Sequence, residues 1–392
     1  MFPDASILSW CEVSTASLQG NIADFKNRLN SNTRLGVVVK SNAYGHGLIN
    51  CAQILQTVGA DWLIVNSVDE AHTIRRAAID LPIYLCGPMS AAQASLAVDA
   101  RLRVGLYDRD VLEALAQAGR AAGWSVPVHL KLETGTYRQG LELPALIDLA
   151  KHAQSLQGIA VEGLTTHYAD IEDTTDHTFA MDQLAQLNEA QIMLQQNGVQ
   201  LPMVHSANSA ATMLWPDTHG DLVRVGIAAY GLWPSRETYA TALQRAADLE
   251  SGYQLPNLSP VLSWRTRIMQ VKNVPAGSYV GYGRTYRTTH PMRLAVLPVG
   301  YHEGYRRALS NAAHVLIHGV CAPVRGRVCM NMTMVDVTHI PEAEVNDHVT
   351  LMGTDGEEHI HAEQLAEWMG TIHYEMIATI NADQPRFLVG QI

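Results

Sequence analysis

Eight short runs of mostly apolar, often β-branched residues punctuate the first part of the chain. They cover residues 34–40 (RLGVVVK), 61–67, 81–87, 102–108, 126–133, 159–167, 201–208 and 222–231. Most are continuous rather than strictly alternating, the pattern of parallel strands covered on both faces. Helix-compatible segments lie between them. Residues 108–123 open with an aspartate cap, keep a Leu/Ala stripe and stop at Gly123. Residues 176–198 form the longest such segment and end at Asn197-Gly198. Eight strands alternating with helices predict a (β/α)8 TIM barrel, an α/β fold.

The pattern changes after Gly231. A connecting stretch follows, and beyond Ser259 the strands lose their helical partners and are separated by turns. One short helix is expected near residues 361–371. The expected organisation is a barrel over residues 1–245 and a mostly-β domain over residues 246–392.

Composition narrows the function classes. The chain has 392 residues, 47% of them hydrophobic, enough for two cored domains. Its formal net charge of -11 argues against a nucleic-acid binder, which needs a basic face for phosphates, but leaves room for a local cationic pocket. The five cysteines are odd in number, widely spaced and without a CxxC pair, so neither a zinc site nor a disulfide framework is indicated. The start lacks a basic region followed by an apolar stretch, and no run of about 18 apolar residues occurs. The expectation is a cytoplasmic protein with reduced thiols, no membrane span and no metal.

In a barrel of this kind, functional groups sit at the C-terminal ends of strands. Lys40 ends the first run; Lys131 and Glu133 end the fifth; His167 ends the sixth. His205, Asn208 and Ser209 follow the seventh, and Arg224 lies within the eighth. Singly, each has a plain structural reading: a solvated strand end, a satisfied core histidine, an ion-paired arginine. Together they converge on one mouth. The segment after the seventh and eighth strands is a common phosphate site, and Ser209 with Gly226 and Ile227 offers a hydroxyl and helix-start amides. A phosphate ligand facing a buried Lys40 suggests pyridoxal 5'-phosphate held as a Schiff base. A Schiff-base aldolase acting on a sugar phosphate would use the same layout. In the second half, GYGRTY sets Tyr282 between two glycines; taken alone this reads as a hairpin turn with a surface aromatic.

The motifs VVVKSNAYGHG, GLTTHY, HSANSAA, RVGIAAYGLWPS, GYGRTY, LPVGYHEGYRR and GRVCMNMTMVDV occur in this order over nearly the whole length. Together they resemble alanine racemase, a family of fold-type III pyridoxal-phosphate enzymes. The resemblance implies that Lys40 carries the cofactor and serves as one catalytic base. Tyr282, delivered from the partner subunit of a homodimer, would be the other. Tyr44, Ser209, Gly226, Ile227 and Tyr374 would hold the phosphate, with Asn208 beside them. Arg224 would face the pyridine nitrogen with His205 behind it, and His167 would lie beside the catalytic tyrosine. Arg138 and the Met330 backbone would bind the carboxylate of a small amino-acid substrate, and Tyr301 would line the entrance. Lys131 matches a lysine that is carbamylated in many members, although pairing with Glu133 or another acid is the alternative. His46 is expected to be a structural loop residue. Asn331 stands where aspartate is usual, and Thr136 and Tyr137 depart from the usual segment before Arg138. The expected activity is interconversion of L- and D-alanine for peptidoglycan; a broad-specificity or serine racemase on the same scaffold is the alternative.

Overall fold

The computed structural model describes residue 4, residues 6–248, residue 250 and residues 252–390. It divides into two compact units. One comprises residues 17–43 and 48–259; the other comprises residues 1–16, 44–47 and 260–392.

The first unit is built on eight strands: Arg34–Val38, Trp62–Val65, Ile83–Leu85, Leu102–Leu106, Val126–Lys131, Ile159–Thr165, Met203–His205 and Leu222–Val225. Every run read from the sequence holds one of them. Consecutive strands pair in parallel from the first to the seventh, and the eighth pairs back onto the first through Gly36 and Arg224. Between the seventh and eighth strands the ladder gives way to two backbone bonds at their edges, Asp221 N to Val204 O and Arg224 N to Ala207 O. The sheet is thus an eight-stranded near-barrel with helices outside. Leu63, Leu102, Val126, Val128 and Val223 are fully buried in it, and each such side chain contributes roughly 1.5–3 kcal/mol by leaving water. The helix Arg109–Ala121 starts as expected, with Asp108 Oδ1 accepting from Val111 N at 2.9 Å.

The second unit is mostly β. Its largest sheet orders the strands Val320–Pro323, His314–Ile317, His348–Asp355, Leu262–Arg267, Ser9–Ser14 and Arg386–Val389, with Glu358–Ile360 added to His348–Asp355. The N-terminal strand Ser9–Ser14 therefore belongs to this unit rather than to the barrel, and the change of unit falls at residue 260 rather than 246. A three-stranded sheet (Gln270–Val274, Met292–Leu297, Thr333–Asp336) and a hairpin (Tyr279–Val280, Tyr286–Arg287) complete it. The expected short helix is Ala362–Met369.

One local feature was not foreseen. Directly after Lys40, four successive non-glycine residues adopt left-handed backbone: Ser41 (φ 54°), Asn42 (56°), Ala43 (53°) and Tyr44 (52°). Left-handed helical backbone costs an L-residue roughly 1–2 kcal/mol each, so the turn must be held from outside. Ser41 N donates to Glu70 Oε1 at 2.6 Å, Ala43 N to Val39 O at 2.8 Å, and Leu48 N to Asn42 Oδ1 at 2.8 Å. The other oxygen of Glu70 accepts from Asn66 N and Ser67 N, so one carboxylate ties the turn to the end of the second barrel strand. Gly45 follows at φ 82°, where a Cβ would lie 2.0 Å from Ile377 O; no other residue fits.

Glu70→Ala strands three backbone donors and is expected to lower the urea stability of the protein by about 1–3 kcal/mol. Glu70→Gln, which keeps one acceptor oxygen, should fall between the two. An unchanged unfolding midpoint in Glu70→Ala would show that the turn is held without the carboxylate.

Candidate active site

The barrel mouth brings together the groups that the sequence placed at strand ends. Lys40 leaves the first strand half-buried, with no hydrogen bond or ion pair among the described residues. Lys131 ends the fifth strand, and its amine has no hydrogen-bonding partner among the described residues either. Burial, reinforced by the Arg224 and Arg138 cations, brings its amine down to about 7. The alternative pairing with Glu133 does not form, because that carboxylate accepts instead from Gly135 N and Thr136 Oγ1 in its own loop. Arg138 is exposed and follows Tyr137, which is also exposed and left-handed at φ 48°.

Arg224 is the buried centre of the mouth, 8% exposed. Its Nη1 donates to His205 Nδ1 at 2.6 Å and Thr165 Oγ1 at 3.3 Å. Its Nη2 donates to Ser206 O at 2.8 Å, Thr166 O at 2.9 Å and His167 Nδ1 at 3.4 Å. All five acceptors are neutral. No carboxylate among the described residues is hydrogen-bonded to Arg224, Lys40, Lys131 or Arg138. An arginine stays charged even where burial lowers its pKa, as it does here. Both histidines respond to that charge. Burial first, then Arg224 and neighbouring cations, hold His205 well below its ordinary value. Burial, then Lys131, Arg224, Arg138 and Lys40, do the same to His167. Because an arginine can only donate, each histidine must accept at Nδ1 and carry its proton on Nε2.

Beside this centre, Gly226 N donates to Ser209 Oγ at 2.9 Å, which leaves the hydroxyl proton free to donate elsewhere. Ser209 opens the helix Ser209–Leu214, capped by Asn208 Oδ1 accepting from Ala211 N at 3.0 Å; Asn208 thus has a positioning task. Ile227 opens a short 3-10 helix, whose first amides have no intrahelical partner.

The second unit holds the remaining groups. Tyr44 and Tyr374 are half-buried with ring centroids 6.2 Å apart. His46 is buried, and its Nδ1 donates to Tyr44 O at 3.0 Å, in keeping with a structural loop residue. Tyr282 stands 73% exposed between Gly281 (φ 72°) and Gly283 (φ 73°). A Cβ at Gly283 would lie 2.6 Å from Arg327 Nη1, so the glycine admits that guanidinium beside the tyrosine loop. Met330 is 55% exposed and Tyr301 38%, and the two loops are joined by His302 N donating to Met330 O at 2.9 Å. Asn331 has a local reason: its Nδ2 donates to Glu303 Oε1 at 2.7 Å, where an aspartate would set two carboxylates together.

Sequence reasoning missed Glu70, His129, Glu162 and Glu303. A strand-parity check would have flagged His129, which shares the inward face with Lys131 two residues on.

Two family models match the chain: the alanine racemase N-terminal domain over residues 13–234 and the alanine racemase C-terminal domain over residues 261–388. An alanine racemase of Leptospira interrogans is 37% identical over 386 residues, covering 97% of this chain and 96% of that protein. One of Syntrophobacter fumaroxidans is 39% identical over 376 residues, with 96% of each covered. Among solved structures, alanine racemase from D-cycloserine-producing Streptomyces lavendulae superposes with a TM-score of 0.89 at 31% identity, covering 100% of this chain and 99% of that one. Alanine racemase from Bacillus anthracis with bound L-Ala-P gives 0.88 at 30% identity, covering 98% and 96%. The chain belongs to the alanine racemase family and is an amino-acid racemase, an isomerase.

Proposed function

We propose that the enzyme is a pyridoxal-phosphate-dependent alanine racemase that works with two bases, as a cytoplasmic homodimer with shared sites, and supplies D-alanine for peptidoglycan. The observation that carries this reading is the buried Arg224 guanidinium, hydrogen-bonded only to neutral acceptors, in a barrel mouth that also bears Lys40. The donor set fits the cofactor. A lysine without an ion pair can attack an aldehyde, and the free hydroxyl proton of Ser209, set by the Gly226 amide, suits a phosphate together with the Ile227 amide. Tyr44 and Tyr374 would add hydroxyl donors. An arginine at the pyridine nitrogen, rather than an acid, disfavours a proton there.

Pyridoxal phosphate, when bound, supplies the electron sink that acidifies the substrate Cα–H. The chain must then move protons on two faces, because one fixed base would restore the original configuration. Lys40 serves one face and Tyr282 of the partner subunit the other. His167, neutral with its proton on Nε2, can donate toward that phenol oxygen. Arg138 and the Met330 N–H, which has no partner among the described residues, bind the carboxylate, and Tyr301 lines the approach. A shared site would account for the exposure of Tyr279, Tyr282, Met330 and Met332, each more than half exposed. Lys131 is a carbamylation candidate. Its amine is substantially neutral near pH 7, and reaction with carbon dioxide would turn it into an anion, with release of a proton, able to pair with Arg138.

A chiral assay over L- and D-amino acids tests substrate and reaction together. Alanine should be racemised well ahead of serine, lysine and arginine; equal rates across the panel would favour the broad-specificity reading, for which exposed Tyr137 beside Arg138 is the feature to alter. Lys40→Ala and Tyr282→Phe should each be nearly inactive, yet mixed dimers of the two should regain activity, since one of their two sites holds both native bases. Absence of any regain would place both bases on one chain and end the shared-site proposal.

The chain has only five lysines, so Lys131 can be followed by NMR with 13Cε-lysine. In carbonate-free buffer it should titrate near pH 7, far below ordinary lysines. Burial penalises its charged form, so fold stability should rise as pH increases from about 7 toward the ordinary lysine value. Lys131→Met should delete both effects, and 13C-bicarbonate should add a carbamate signal only to the native protein.

A further inference from the structure

Arg224 poses a problem that the catalytic reading leaves open. Its permanent charge is buried and touches no anion among the described residues, although an isolated buried charge is strongly disfavoured. The structure supplies a route to one. His205 Nε2 lies 2.8 Å from His129 Nδ1, and His129 Nε2 lies 2.9 Å from Glu162 Oε2. His129 and His205 are 0% and 1% exposed, while Glu162 keeps 24% of its side chain in solvent beside Arg103, whose Nε is 2.9 Å away. The Arg103 contact is an ion pair without hydrogen-bond alignment.

We propose that Glu162, acting through His129 and His205, is the remote counter-ion and positioning residue of Arg224. Donor chemistry sets the direction at both ends. Arg224 can only donate, so His205 accepts at Nδ1 and donates from Nε2 to His129 Nδ1. His129 must then donate from Nε2, and the Glu162 carboxylate can only accept. Every proton in the row is fixed, and each bond polarises the next in a low-dielectric interior. The arrangement compensates the guanidinium without setting a carboxylate against the pyridine nitrogen, where it would favour the proton that Arg224 disfavours. The inference rests on the cofactor placement proposed above.

The packing around the row agrees. Tyr84 faces both imidazoles, with centroids 5.0 Å from His129 and 5.4 Å from His205, and Trp62 faces His129 at 5.7 Å. Arg103 and Arg224 are the permanent cations nearby, the depressed amine of Lys131 adds charge only below about pH 7, and Glu162 is the one carboxylate hydrogen-bonded to the row among the described residues. His129 reaches the seventh strand across the sixth at Gly163, its register partner. A Cβ there would lie 2.6 Å from His129 Nδ1 and 3.0 Å from Cε1, so the imidazole occupies the space that glycine leaves. Gly163 does not have positive φ, so an alanine there is unstrained in its backbone and acts by sterics alone.

Two variants separate charge from geometry in the holoenzyme. E162Q keeps shape and an acceptor oxygen but removes the charge. G163A keeps every charge and puts a methyl against the His129 ring. Both should lower kcat for alanine on the order of tenfold with KM nearly unchanged, because Glu162 and Gly163 touch no substrate. Long-range 15N–1H spectra of the histidine side chains give a readout independent of activity. The native protein should show His129 and His205 protonated on Nε2, and G163A should shift the His205 Nε2–H signal. A merely structural pair would lower the melting temperature, leave kcat within about twofold and leave those signals in place, which overturns the proposal. So does a native His205 protonated on Nδ1. Should the native protein fail to racemise alanine while the tautomers stand as stated, it is the racemase reading that fails.

Discussion

A permanent cation buried at the mouth of a barrel sets the terms for every polar group around it. Arg224 spends its terminal nitrogens on two carbonyls, a hydroxyl and two imidazoles, none of them charged. Those bonds orient it, but they also dictate their partners. Two histidines are driven neutral, their tautomers follow from the one-way chemistry of a guanidinium, and the amine of Lys131 is brought down to about 7. Desolvation and like charge act in the same direction on all three. A carboxylate placed among them would relax each shift, and the structure keeps Glu133 occupied with its own loop and Glu162 two imidazoles away.

The strained turn after Lys40 obeys a related logic. Four left-handed residues place the lysine at the exit of a buried strand and turn the chain sharply aside. Backbone strain of this kind persists only where the surroundings over-determine it. Glu70 supplies that restraint by binding one amide of the turn and two at the end of the second barrel strand, with Asn42 closing the turn from within. Lys40 is therefore held by backbone hydrogen bonds, while its own side chain stays uncommitted.

Much of this was legible. The eight apolar runs located every barrel strand, and strand-end position singled out Lys40, Lys131, His167, His205 and Arg224 as one group. What escaped has definite causes. SWCEVS forms a strand whose partners include Trp264 and Arg386, and no local periodicity reports pairings over such distances. Ser-Asn-Ala-Tyr contains no glycine, the residue that normally announces left-handed backbone. His129 and Glu162 lie in the strands rather than at their ends, so a reading fixed on the mouth passed over the row behind it. The exchange of aspartate for Asn331 showed as a departure, but its reason, the Glu303 carboxylate, is a contact across 28 residues.

The two units differ in how complete their chemistry is. Arg224, His205, His167 and Ser209 find hydrogen-bonding partners within the barrel unit. The side chains of Tyr282 and Met330 lie mostly in solvent and that of Tyr301 partly so, and none of the three has a hydrogen-bonding partner among the described residues. That asymmetry explains why the barrel motifs carry functional meaning on their own, while GYGRTY reads in isolation as a surface hairpin. A phenol held on a glycine-flanked tip, with Arg327 packed where a Cβ would otherwise lie, is presented to solvent by backbone that only glycine allows, and no contact within its own unit explains why.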